Sequence, residues 1–313
     1  MEAIRCEGLT KHYGKIAALN GLNLSVEEGS VFGFLGPNGA GKTTTVKLLT
    51  GLSTSSGGRA WVAGEEVSSN ATSLRSKIGY LPEEPAFYNW MTGREFLSFV
   101  GKLHHLPSRE IRQRCDELLE LVDLQEASGR RIGGYSRGMR QRLGIAQALI
   151  NRPRILFLDE PCSALDPVGR RGVLSVIERL QAETTVFMST HILSDVERVC
   201  DVVGIIDHGE LITKARTEQL RERYARSVFE VQFEEDPTSL ISTLNLLPWV
   251  VKVDVVRGNG EPILRVQAKD VDAAKHILPR LIAESELTLL RYELTLPSLE
   301  DIFIELVSSE GAK

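Results

Sequence analysis

Apolar residues in the first 220 positions fall mostly in short unbroken runs. The segments "VFGFL" (31–35), "KIGYL" (77–81), "RILFLD" (154–159), "TVFMS" (185–189) and "VVGIID" (202–207) each read as a strand buried on both faces. Helically spaced segments separate them. "TTTVKLLTGL" follows the first strand closely, with Gly51 as its stop signal. Strand–helix alternation of this kind predicts an α/β unit over residues 1–220. Residues 92–150 break the rhythm with a long, mostly helical stretch and read as an inserted subdomain. Beyond residue 226 the pattern changes again. "SVFEVQF", "WVVKVDVV", "PILRVQA" and "LTLLRYEL" read as strands, "DPTSLISTLNLL" and "DVDAAKHILPRLIAE" as helices, and "RGNGE" as a hairpin turn. The order βαββαβ predicts a small ferredoxin-like α+β domain over 227–308. A last helix, "SLEDIFIELV", is expected after Pro297.

Charge supports the division. Residues 227–313 carry 8 basic and 15 acidic side chains, whereas residues 1–226 carry 29 and 27. The chain of 313 residues has a net charge of −5, which argues against a protein that coats nucleic acid. No run approaches the roughly 18 apolar residues of a membrane span. The N-terminus has no basic stretch followed by an apolar core, so no secretory leader is expected. The four cysteines, Cys6, Cys115, Cys162 and Cys200, lack metal spacing and read as reduced, packed thiols.

Two segments change the picture from fold to chemistry. "GPNGAGKTT" (36–44) follows the first buried strand and opens a helix. Its glycines Gly36, Gly39 and Gly41, with Asn38, let successive backbone N–H groups turn toward one anion. Lys42 supplies a cation for β- and γ-phosphates, and the Thr43 hydroxyl can ligate Mg²⁺, with Thr44 beside it. The helix N-terminus adds its dipole and free donors. "ILFLDEP" is an apolar strand ending in two carboxylates. In a parallel sheet that end lies beside the phosphate loop. Asp159 would then hold Mg²⁺ through its water shell, and Glu160 would take a proton from an attacking water.

Together these motifs resemble the ATP-binding subunits of ABC transporters. The resemblance rests on further segments in the family's order. "YSRGMRQRL" (135–143) stands where the signature motif stands. "SALD" (163–166) resembles the D-loop, "STH" (189–191) the switch histidine, "KHYG" (11–14) the adenine-stacking loop, and "YLPEE" (80–84) the Q-loop. The resemblance implies a P-loop ATPase of ABC type. It assigns Tyr13 to adenine, His191 to the γ-phosphate and the attacking water, Glu83 to Mg²⁺ and Asp166 to the contact between protomers. It also implies a head-to-tail dimer with a second ATPase subunit, expected to be a second copy of this chain, in which Ser136 and Gly138 of one chain face the nucleotide of the other.

There are departures. The usual Leu-Ser-Gly-Gly-Gln becomes Tyr135, Ser136, Arg137, Gly138, Met139, and the Q-loop Gln is Glu83. The resemblance further implies an integral membrane permease as partner and a place on the cytoplasmic face of the cell membrane. Resemblance to subunits with a "LEDIF"-like last helix implies export, and the aromatics in "EEPAFYNWM" (83–91) are expected either beside a permease helix or packed under the helical insert. The acidic C-terminal domain is expected to regulate or prop the dimer. Competing readings are an ABC-type ATPase acting on ribosomes or DNA, and a small-molecule nucleotide kinase. The kinase leaves the signature, the D-loop and the switch histidine unexplained.

Overall fold

The computed structural model describes residues 1–68, 72–180, 184–223, 227–258 and 261–295. The chain divides into two compact units, Met1–Thr217 and Glu218–Lys313.

The first unit opens with three strands and a helix: β1 (Glu2–Tyr13), β2 (Ile16–Glu27), β3 (Val31–Leu35) and α1 (Lys42–Leu49). It continues with β4 (Gly57–Val62), β5 (Glu65–Glu66), α2 (Thr72–Lys77), β6 (Ile78–Leu81), α3 (Gly93–Leu103), α4 (Ser108–Leu121) and α5 (Arg137–Ala148). It closes with β7 (Ile155–Asp159), α6 (Pro167–Arg179), β8 (Thr185–Thr190), α7 (Leu193–Val199), β9 (Val202–Asp207) and β10 (Glu210–Arg216).

The five apolar runs all become strands of one six-stranded sheet, ordered β10-β9-β3-β8-β7-β6. Pairing is parallel between β9, β3, β8, β7 and β6, and antiparallel only at β10. All five residues of β3 and of β7 are buried, as unbroken apolar runs require. Phe32, Phe34 and Phe157 gather round Phe187, with ring centroids 5.4, 5.4 and 5.6 Å away. Each such ring contributes about 1.5–3 kcal/mol by burial, and together they tie β3, β8 and β7 into one platform. A second sheet, β2-β1-β4-β5, is antiparallel. The strand–helix pattern of the sequence does not predict these four strands.

The expected helical stretch at 92–150 contains α3, α4, a short 3-10 turn at Ile132–Gly134, and α5. Thr92 starts α3 with a reciprocal capping box, accepting from Glu95 N–H while the Glu95 carboxylate accepts from Thr92 N–H.

The second unit comprises α8 (Thr217–Arg223), which begins at the boundary, then β11 (Ser227–Phe233), α9 (Thr238–Leu244), β12 (Val250–Gly258), β13 (Glu261–Ala268), α10 (Val271–Glu284) and β14 (Leu289–Thr295). The order βαββαβ is as expected, and the antiparallel sheet β12-β13-β11-β14 is the ferredoxin-like arrangement. Phe229, Val231 and Phe233 alternate inward and meet Leu264, Val266, Leu240 and Leu278 in a core of this unit's own. The tip of the "RGNGE" turn and the "SLEDIFIELV" segment lie outside the described residues.

Candidate functional site

Strand order decides which side chains can meet. Going across the sheet through β3, β8, β7 and β6, the carboxyl ends lead respectively into the phosphate loop, His191, Asp159–Glu160 and Glu83. Four segments far apart in sequence therefore emerge side by side, where ligands of open α/β sheets bind. They enclose a cleft of about 240 Å³ lined by Ala18, Asn38, Gly39, Gly41, Lys42, Thr43, Thr44, Glu83, Glu160, Ser163 and His191.

The loop at 36–44 is shaped by what its glycines leave out. Gly41 caps α1 at φ 107°, a left-handed conformation that L side chains rarely adopt. A Cβ there would also lie 2.6 Å from the Ala18 carbonyl, and one at Gly36 would lie 2.3 Å from the Ile206 carbonyl. Lys42 is buried and donates from Nζ to the carbonyls of Gly36 (2.8 Å) and Pro37 (3.1 Å). The same ammonium lies 3.2 Å from Glu160 Oε1. The other carboxylate oxygen of Glu160 meets His191 Nδ1 at 2.9 Å. Glu160 holds φ 47°, and its N–H donates to the Ser189 carbonyl and hydroxyl at 3.0 and 3.2 Å. A left-handed non-glycine residue pinned by two acceptors aims its carboxylate into the cleft.

Asp159 ends β7, buried, with Oδ1 accepting from Ser189 Oγ (2.6 Å) and Thr43 Oγ1 (3.1 Å). Burial pushes its carboxyl above the usual range, more than these two hydroxyls pull it down, and the Glu83 charge adds to the rise. A nearby cation would relieve that cost. Mg²⁺ takes one or two protein oxygens and completes its shell with phosphate and water, and the adjacent Thr43 hydroxyl and Asp159 carboxylate fit that demand. Among the described residues no three His, Cys, Asp or Glu side chains converge to hold a metal ion.

The remaining expected residues lie elsewhere. Tyr13 ends β1, half exposed, with Lys11 Nζ 4.9 Å from its ring centroid. Ser136 caps α5, its hydroxyl accepting from Met139 N–H at 3.2 Å. Asp166 caps α6, accepting from Gly169 N–H at 3.0 Å, with Pro167 in the first turn. A Cβ on Gly138 would stand 3.0 Å from Gly169 Cα, so this glycine lets α5 and α6 touch within one chain. None of these four lines the cleft.

Sequence reasoning missed two residues. Ser163 donates from Oγ to Glu83 Oε1 at 3.2 Å. Gln141, buried in α5, donates from Nε2 to the Glu83 carbonyl at 2.7 Å. Their partners are 80 and 58 residues away in sequence, beyond any local signal.

Comparison with known proteins gives the same reading independently. A family model described as "ABC transporter" matches residues 19–163, and one described as "ATP-binding protein DrrA1-3-like, C-terminal domain" matches 216–307. The Bacillus subtilis ABC transporter ATP-binding protein YxlF is 40% identical over 301 residues, covering 96% of this chain and 98% of its own. The daunorubicin resistance ATP-binding protein DrrA2 of Streptomyces coeruleorubidus is 38% identical over 316 residues, 97% of this chain and 94% of its own. CbiO1 of Clostridium perfringens, part of an ABC transporter complex, superposes with a TM-score of 0.66 at 25% identity, over 79% of this chain and 96% of its own. With the phosphate loop, Glu160 and His191 brought into one cleft, and with relatives matched over nearly their whole length, the chain belongs to the ATP-binding subunits of ABC transporters and is an ATPase.

Proposed function

We propose that two copies of this chain close head to tail around two ATP molecules and drive export of an antibiotic-like compound through a separate membrane permease. The observation that carries the dimer is the separation of the two phosphate-type motifs. Ser136 and Gly138 stand at the start of a helix, yet neither lines the cleft that holds Lys42 and Glu160. A nucleotide gripped by one copy's loop is then completed by the partner's signature. Asp166 and Tyr13 act from the cleft's margins, one at the protomer contact and one against adenine. Export is favoured by similarity to a daunorubicin resistance protein over nearly the whole chain. The family resemblance, with no DNA-type charge excess, disfavours action on nucleic acid. Among the described residues no helix is long and apolar enough to cross a membrane, which fits attachment through a permease on the cytoplasmic face.

In the reaction, Lys42 exchanges its contacts with Gly36, Pro37 and Glu160 for the β- and γ-phosphates. Glu160, so released, accepts a proton from water aligned with the γ-phosphate. His191 holds Glu160 through Nδ1 and keeps the water in register through its other ring nitrogen. Bound Mg²⁺, held by Thr43, by Asp159 through water and by Glu83, would neutralise phosphate charge.

The test uses Glu160→Gln with magnesium and ATP. The variant should bind ATP, lose about 10²–10⁴-fold in turnover and elute as a dimer in light scattering. A strictly monomeric form at high concentration, even with the permease present, refutes the dimer. Recovery of ribosomes or DNA instead of a polytopic membrane protein on purification refutes the transport assignment.

A further inference from the structure

We infer that Lys11 is a positioning residue for the base of the bound nucleotide: its ammonium closes one face of the Tyr13 ring and leaves the other for the purine. This rests on the reading of Tyr13 as the base platform and adds to it the group that sets the ring.

The hairpin that carries Tyr13 leans on the phosphate loop. Strands β1 and β2 pair Lys11 with Leu19 and His12 with Ala17, so Ala18 is left over as a bulge. A bulge bends its strand and re-aims the side chains around it. A Cβ on Gly41 would come within 2.6 Å of the Ala18 carbonyl and one on Gly209 within 3.0 Å, and Ala18 itself lines the cleft. Beyond the bulge, Tyr13 pairs with Ile16 across a two-residue turn in which Gly14 takes φ 59°. Directly opposed residues share one face of a sheet. Here they are an aromatic and an aliphatic side chain, 48% and 70% exposed. Ile16 stands two residues from Ala18 along β2, so this uncovered pair lies at the margin of the cleft.

Lys11 decides how the ring is presented. Its Nζ lies over the Tyr13 ring, 4.9 Å from the centroid, and donates to the Thr54 carbonyl at 2.6 Å. An ammonium in that place is attracted by the electron-rich face of the ring. That face is then taken, and a base stacks on the opposite one. The segment around Thr54 is itself fixed at both ends. Leu52 and Ser53 donate their N–H groups to the Lys47 carbonyl, in the last turn of α1, at 2.9 and 3.0 Å. Ser56 donates its N–H to the Thr10 carbonyl at 2.8 Å, and its Oγ accepts from His12 N–H at 3.0 Å. Helix α1 begins at Lys42 of the phosphate loop. A run of short contacts therefore leads from the phosphate grip, along α1 and the loop after it, to Lys11 and the ring. Base platform and phosphate loop are held at one spacing, as a ligand with a base at one end and phosphates at the other requires. Without the ammonium the ring turns about its own side-chain bonds, and the nucleotide must order it on binding.

Calorimetric titration of the full chain, dilute and monomeric, with magnesium ATP and with magnesium tripolyphosphate tests this, because tripolyphosphate engages the phosphate loop and has no base. Lys11→Met keeps the stem and removes the charge and the donor. It should weaken ATP binding about two- to fivefold, the worth of one exposed contact between a cation and a ring. Tripolyphosphate binding should stay unchanged, which also shows that the variant is folded. Lys11→Arg restores a cation that stacks on aromatic faces and should recover most of the loss. Tyr13→Ala should weaken ATP binding and, once made, should render Lys11→Met silent, because the lysine acts through the ring. Unchanged ATP affinity in Lys11→Met, beside a weakened Tyr13→Ala, overturns the role of Lys11 and leaves the platform standing. An equal loss for tripolyphosphate does the same, as does an equal effect of Lys11→Met with and without the Tyr13 ring. Unchanged ATP affinity in Tyr13→Ala overturns both readings.

Discussion

Lys42 and Glu160 form an ion pair with side chains only 5% and 7% exposed. Taking two charges out of water is costly, and their attraction repays it only while both are present. Removing one partner should therefore hurt more than removing both. Lys42→Met leaves the buried Glu160 carboxylate facing His191 alone and should lower the stability of the nucleotide-free chain by about 3–5 kcal/mol. Lys42→Met/Glu160→Gln, with no uncompensated charge, should recover most of that loss in urea denaturation, while remaining unable to hydrolyse ATP. If the double variant is as unstable as the single one, the pair is not what holds the cleft's charges in place. The same accounting explains why the phosphate loop can accept ATP at all. The three donors of Lys42 are already satisfied by two carbonyls and a carboxylate, so binding is an exchange of partners rather than the filling of an empty hydrogen-bond site.

At the level of elements, the contact between α5 and α6 is made by two glycines. A Cβ at 138 would stand 3.0 Å from backbone that has no flexible end to move aside. Gly138→Ala should cost about 1–3 kcal/mol through this overpacking, measured on the monomer where no partner's nucleotide is involved. An unchanged midpoint would mean that the close approach of α5 and α6 does not depend on the missing Cβ. The sequence made the central sheet easy to read because its strands are buried on both faces and appear as continuous apolar runs. The second unit was equally readable, above all at β11, which alternates: Phe229, Val231 and Phe233 on one side, Glu230 and Gln232 on the other. Strands β1 and β2 were not readable for a physical reason. Their pairing slips register between Cys6 and Leu9, again between Leu9 and Lys11, and again before His12. Each slip resets the phase of the alternation, so no single period-two pattern runs through "EAIRCEGLTKHY". For the site, phosphate loop, acidic pair and His191 could be named from local motifs. Ser163 and Gln141 could not, since what they do is set by Glu83 arriving from a different strand.

For the whole molecule, the question is what the C-terminal unit needs from the ATPase unit. Its core is made of its own residues: Phe229, Val231, Leu264 and Val266 with Leu240, Leu244, Leu278 and Ile282. The opposite face of its sheet is built for water. Arg265 reaches Glu230 at 2.8 Å, and Arg291 reaches Glu230 at 3.0 Å and Glu293 at 2.9 Å. Glu230, 13% exposed, sits between the two guanidinium groups. A charged lattice across the strands discourages that face from pairing with another apolar surface. Residues 218–313 made alone should therefore fold, with one cooperative urea transition and the circular dichroism of an α+β domain. Residues 1–217 should keep the full chain's affinity for ATP, because every cleft residue and every strand of its sheet lies before Thr217. If the accessory unit props the dimer, the truncated chain carrying Glu160→Gln should then need more ATP to dimerise, with monomer affinity unchanged. Loss of ATP affinity in the 1–217 fragment would place the accessory unit in nucleotide binding itself. Equal dimerisation with and without it would refute the propping role.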